Sequence, residues 1–298
     1  MKQLALIAWK EFGDRFTSGW VIACALVWLC AIGLTSHFGL VQIGKIGLQG
    51  YDRTVASLLT LVQYLVPLLA LLLGHDLVVS EREDRTLLLV LAGGLKRGRL
   101  LFGKFIGGSI TLALPLVLGF AVAGTIIGLA SNPAGLGSFL KLAVSGLVLG
   151  LVFLGIGLLI SCLSRARVQA LVLALLAWCA AVFVFDLVAM GLVITTNSAT
   201  AAREVETVTD ATHVNAVADM HAAFENGDDA AARSAVRAPR RIALWVLVNP
   251  VDIFRTLNLP GEVAPPLPLP ATAAALSIIA WLAGALGAAT WKFNRLDL

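Results

Sequence analysis

The sequence predicts an all-α, polytopic membrane protein with six transmembrane helices and an amphipathic helix at its N-terminus. Three observations carry that expectation. Of 298 residues, 59% are hydrophobic and 13% charged, against about 45–50% and about 25% in an ordinary soluble domain. The apolar residues gather into six runs, at about 19–40, 55–79, 105–130, 138–163, 168–194 and 270–291, each long enough for the ~20 residues that a spanning helix needs. Finally, Lys and Arg are concentrated in alternate connections between those runs, as the positive-inside rule requires of a multi-pass chain.

In residues 1–18, Ala5, Trp9, Phe12 and Phe16 fall on one side of a helix and Lys10, Glu11, Asp14 and Arg15 on the other, which predicts a helix lying along the membrane interface. Glu11 and Asp14 precede the first apolar run and no small-residue cleavage site comes after a short core, so no cleaved leader is expected. Pro67 and Pro115 fall inside the second and third runs, a position that membrane helices tolerate. Lys2, Lys10, Arg15, Arg82, Arg85, Lys96, Arg97, Arg99, Lys104, Arg165, Arg167, Lys292 and Arg295 lie on one side of the predicted topology. The short connections on the other side offer only Lys45, Arg53 and Lys141. Both termini are therefore expected in the cytoplasm. Residues 195–269 form an extracytoplasmic insertion between spans five and six. Its stretch 199–241 is rich in Ala, Glu, Asp and Arg and reads as one or two solvated helices.

Several chemistries are excluded. The net charge of +4 is spread between apolar runs and makes no continuous basic face, so nucleic acid is not an expected partner. Cys24, Cys30, Cys162 and Cys179 sit in or beside apolar segments, where each serves as a small hydrophobe and not as part of a disulfide framework. His37, His75, His213 and His221 show no ligand spacing, and no metal site or bound cofactor is expected. The run from Gly98 to Gly103 and Lys104 has the spacing of a phosphate-binding loop, but Phe105 replaces the magnesium-binding hydroxyl and no strand precedes it. Ser138 and Lys141 have Ser-x-x-Lys spacing without companion motifs. No nucleophile and base pair is present, so the chain is expected to be non-catalytic.

Two acids stand in or near hydrocarbon: Asp76, beside His75 at the end of span two, and Asp186 within span five. A charge there costs about 2.5–3.5 kcal/mol or more, so Asp186 must face the bundle interior or a polar cavity. Asp76 and Asp186 each serve either as a conduit or gating residue or as a packing bond. Gly103 with Gly107, Gly124 with Gly128 and Gly146 with Gly150 are spaced for close helix contact.

The most informative segment is the connection between spans two and three. Ser80 to Arg85 puts mixed charge directly after a span, Thr86 to Ala92 makes an apolar helix too short to cross, and a Gly-Gly stop and a basic turn come next. A short helix held at the surface by charge suits force-transmitting contact with a soluble partner.

Glu81-Arg-Glu83-Asp-Arg85-Thr86-Leu87 resembles the Glu-x-Glu-x-Gly-Thr-Leu pattern in the corresponding connection of the ABC-2 class of ABC transporter permeases. Arg85 stands where that pattern has glycine. The class implies a single transmembrane permease domain over residues 1–298, an N-terminal elbow helix, and no ATP-binding motif in the chain itself. A nearer likeness is to permease subunits of the transporter that serves maturation of the copper enzyme nitrous oxide reductase. Ala56 to Leu61, Val66 to Leu73, Gly103 to Phe105, Val184 to Val188, and Asn249 to Arg255 carry it. The resemblance implies a homodimer in a bacterial inner membrane, cytoplasmic ABC ATPase subunits of the NosF type that bind ATP and Mg, and a periplasmic copper-handling partner of the NosD type. Glu81, Glu83, Arg85, Thr86 and Leu87, with Ser164, Arg165 and Arg167, are then the expected ATPase contacts. Asn249, Pro250 and Asp252 also read as the start of a capped helix, in which exposed Phe254 and Arg255 either brace span six or meet a periplasmic partner. The cargo is either a sulfur species or nothing, with ATP energy passed mechanically to the copper chaperone. Two other readings stay open: an ATP-independent secondary transporter that uses Asp186, and an anchor for a periplasmic protein.

Overall fold

Apolar runs of this length leave their backbone polar groups no partner in hydrocarbon except one another, and helices satisfy them internally. A computed structural model describes residues 2–40, 50–87, 95–130, 136–188, 247–258 and 271–295, with the single positions 92 and 191. Among the described residues every regular element is helical: α1 (Lys2–Phe16), α2 (Gly19–Leu40), α3 (Gly50–Gly74), the short α4 (Val79–Glu83), α5 (Arg97–Ala130), α6 (Leu136–Leu163), α7 (Arg167–Cys179), α8 (Pro250–Asn258) and α9 (Ala271–Asn294). A π-helical turn, Ala180–Val184, continues α7. Among the described residues six stretches are long and apolar enough to cross a membrane: Gly19–His37, Ser57–Glu83, Arg97–Ile126, Gly137–Leu163, Arg167–Val188 and Thr272–Asn294. The insertion at 199–241, residues 88–91 of the short apolar helix, and His213 and His221 lie outside the described residues.

The centre of the bundle is the pair α3 and α6, flanked by α2, α5 and α9. Small residues bring the two central helices together. A Cβ on Gly74 would stand 2.9 Å from both Gly157 Cα and Leu154 O, so two backbones touch where α3 ends. Gly146 and Gly150 accept Val62 and Val66 of α3 with Phe120, Leu112 and Leu116 of α5. Gly103 and Gly107 seat α1, since Ile7 and Glu11 lie where their side chains would be. The pairs Gly103 with Gly107 and Gly146 with Gly150 thus serve contacts inside one chain.

Helix α1 lies on α5 with Glu11 and Arg15 turned inward, while Lys10 and Asp14 of the same charged side stay exposed. Ala8 is buried and Glu11 and Arg15 are largely covered, while Leu6, Trp9 and Phe16 are exposed. Phe12 bridges that outer face, tilted against Trp9 (centroids 5.8 Å apart) and stacked on Phe16 (5.3 Å). The turn at Thr17 and Ser18 separates α1 from α2, as expected of an interfacial helix and not of a simple extension of the first span. Arg97 donates to the carbonyls of Phe293 (3.3 Å) and Asn294 (3.0 Å). Both chain ends and the connection after α3 therefore share one end of the bundle. That anchoring also explains why α5 begins at Arg97, ahead of the purely apolar run expected from 105.

Candidate functional site

At the end of the bundle that carries both termini, one buried cation organises three elements. Lys104 of α5 is 2% exposed and lies 2.9 Å from Glu11 Oε2 and 2.8 Å from Glu81 Oε1. Glu11 also pairs with Arg15, four residues on. Burial alone would raise the Glu11 carboxyl, but the Lys104 and Arg15 charges outweigh it and hold the group below its ordinary range. Arg15 reaches on to the carbonyls of Leu73 (3.5 Å) and Asp76 (3.2 Å). The interfacial helix is thus tied to the end of α3 and to α4.

The segment after α3 is held from its other side by α6 and α7. Ser161 Oγ accepts the backbone N–H groups of Val78 and Val79, both at 2.9 Å. Arg82 donates to the Ser164 carbonyl at 3.2 Å. Arg167, at the start of α7, lies 3.7 Å from Asp76, 3.3 Å from Glu83, and against Asp84. A Gln169 side chain caps the Arg165 N–H at 3.0 Å.

The expected contact residues therefore divide. Glu81 turns inward to Lys104 and Leu87 is buried, while Glu83, Arg85 and Thr86 form an exposed edge beside Asp84. Ser164 is buried, and Arg165 and Arg167 are exposed. Arg85 has φ of 57°, the left-handed region that disfavours any side chain with a Cβ. This is the position at which the permease pattern has glycine, so the local turn is kept and the substitution is paid for in strain. Lys104, Glu11 and Ser161 were not among the expected site residues. In sequence Lys104 reads as the last cation of the basic connection before span three, and only its place inside α5 shows that it must find a counter-charge.

A second polar cluster sits toward the opposite end. Arg255 of α8 holds Asp186 with two bonds of 2.9 and 2.8 Å and donates to Gln63 at 3.2 Å. Asn249 Oδ1 accepts the Val251 N–H, and its Nδ2 donates to Asp252 and to Ala181 O at 2.8 Å. That carbonyl belongs to the π-helical turn, so Asn249 ties the start of α8 to the wider-wound part of span five. Asp252 is buried, which pushes its carboxyl up to about 6 although Asn249 and Arg255 favour the charged form. Phe254 corrects the sequence expectation: it is buried, because α8 is amphipathic and turns its apolar side into the bundle. Asn249, Pro250 and Asp252 are buried with it, and the helix offers Arg255 to Asn258 as its partly open part.

Residues 5–298 of this chain match a family model described as "ABC-2 family transporter protein". The chain belongs to the ABC-2 family. Two relatives, from Pseudomonas aeruginosa and Stutzerimonas stutzeri, are each named "Probable ABC transporter permease protein NosY". The first is 32% identical over 305 residues, covering 97% of both chains. The second is 30% identical over 311 residues, covering 99% of both. This chain is a multi-pass permease subunit of an ABC transporter.

Proposed function

We propose that this permease couples ATP hydrolysis by a separate cytoplasmic ATPase to maturation of the copper sites of nitrous oxide reductase. The observation that carries the coupling half is the exposed edge Glu83 to Thr86, clamped through Arg167 to α7 and through Glu81 to Lys104 and α1. A push on that edge reaches three elements at once. The NosY names of two full-length relatives support the maturation half. In this reading the chain lies in a bacterial inner membrane with both termini in the cytoplasm, supported by the side on which its basic residues gather. It works as a homodimer with NosF-like ATPase subunits and a NosD-like periplasmic copper-handling protein. ATP and Mg stay on the ATPase, and this chain binds no cofactor of its own. Movement of residues 75–87 is passed along α3 and α6, where Gly74 and Gly157 leave no slack, toward α8 at the other end. There it drives export of a sulfur species or mechanical control of the copper chaperone.

The test is the double charge reversal Glu83→Lys with Asp84→Lys. Both side chains are exposed, so the bundle is expected to persist although their pairs with Arg167 are broken, while co-purification of the ATPase and copper loading of the reductase are lost. Retention of both would sink the proposal.

A further inference from the structure

Between α1, the end of α3 and the start of α7 lies a cleft of about 600 Å³. Its walls are polar toward the terminal end of the bundle, with Asp14, Arg15, Asp76, Glu81 and Arg167, and apolar deeper in, with Leu72, Val168 and Leu171. Trp20, Val21 and Leu73 also line a second, narrow groove that continues into the span region past Cys24, Leu112 and Pro115. One continuous surface therefore changes from charged to apolar along the membrane normal. Trp20, exposed at the start of α2, stands at the level where amphipathic rings mark the interface.

The charges state what the polar end lacks. Each cation there is already engaged: Lys104 by two carboxylates, Arg15 by Glu11 and two carbonyls, Arg167 by Asp76, Glu83 and Asp84. The acceptors are only partly satisfied: Asp76 Oδ1 lies 3.7 Å from Arg167, beyond hydrogen-bond reach, and Glu81 pairs with Lys104 through Oε1 alone. Asp76 Oδ1 and Glu81 Oε2 are buried without a hydrogen-bond partner among the described residues, and the Asp14 carboxylate forms no ion pair among them. Buried carboxylate oxygens call for donors. From this geometry we infer that the cleft holds an aminophospholipid, with its primary ammonium among Asp14, Asp76 and Glu81, its phosphate at the open mouth of the cleft, and an acyl chain in the groove beside Trp20 and Pro115. A choline head group has the charge without N–H donors. A glycerol head group brings no cation. The head group would sit between α1 and α7, against the residues that hold α4, so the lipid joins the coupling end of the permease. The inference needs only the membrane-spanning fold, not the identity of the transporter's cargo.

The experiment is native mass spectrometry of the full-length detergent-purified chain, titrated with phosphatidylethanolamine, phosphatidylcholine and phosphatidylglycerol of matched acyl chains. Phosphatidylethanolamine should be retained on the order of tenfold better than the other two. Asp14→Asn with Asp76→Asn should erase that preference. Leu171→Trp, which fills the cleft without changing any charge, should abolish retention, and it keeps the test open if the double variant fails to fold. Equal retention of all three lipids overturns the inference. So does wild-type-like phosphatidylethanolamine retention by Leu171→Trp, or efficient cross-linking of cysteines placed at Val168 in two copies of the chain, which would make the cleft a subunit contact.

Discussion

Replacing Lys104 by methionine keeps its bulk and removes its charge, leaving Glu11 and Glu81 facing each other with one cation fewer. Removing one member of a buried ion pair costs about 3–5 kcal/mol because the remaining charge stays desolvated. Here Glu11 keeps Arg15, and the Glu81 side chain is 24% exposed, so water relieves part of the loss. The expected cost is about 2–3 kcal/mol. Denaturant unfolding of the purified chain, monitored by tryptophan fluorescence, measures it. The decisive comparison is the triple variant Lys104→Met, Glu11→Gln, Glu81→Gln, in which no unpaired charge is left. It should recover most of the stability lost by Lys104→Met alone, with a coupling energy above about 1 kcal/mol. A neutral Lys104→Met, or a triple variant less stable than the single one by the sum of its parts, would refute the idea that this lysine holds α1, α4 and α5 together.

The geometry sets three further outcomes. Arg85→Gly relieves the left-handed backbone and should stabilise the turn by about 1 kcal/mol, read as slower amide hydrogen exchange at 84–87. Gly74→Ala drives a methyl into Gly157 Cα and Leu154 O, backbone atoms that cannot rotate away, and should cost about 1–3 kcal/mol in unfolding free energy. For Asp252 the folded value of about 6 lies above the ordinary one, so its contribution to stability is fully present below the ordinary aspartate range and is lost as pH rises through 6. Unfolding midpoints measured from about pH 4 to 8 should fall across that window, and Asp252→Asn should flatten the fall.

The six spans were legible because their signal is local: an apolar run of about twenty residues means the same thing whatever it packs against. The connection after α3 was legible for a similar reason, since its charge sits next to a span and its pattern is contiguous. The partners of those charges were not. Lys104 meets Glu11 across 93 positions, and neither residue announces the other in sequence. Glu81 and Glu83 look alike in the motif, yet about half a turn of α4 separates them and sends the first inward and the second outward. At the other end, the capping signature of Asn249 was plain, but its bond to Ala181 depends on a π-helical turn that leaves no mark in an unbroken apolar run. Phe254 shows the limit from the other side. Beside Arg255 it reads as a surface residue, and only the amphipathic register of α8 buries it.

The proposed coupling depends on where the ATPase touches this chain, and site-specific photo-cross-linking in cells addresses that directly. A photoreactive residue at position 85, on the exposed edge after α4, should capture the ATPase subunit. The same residue at position 248, exposed beside α8 at the far end, should not. Capture from 248 and none from 85 would contradict the proposed coupling.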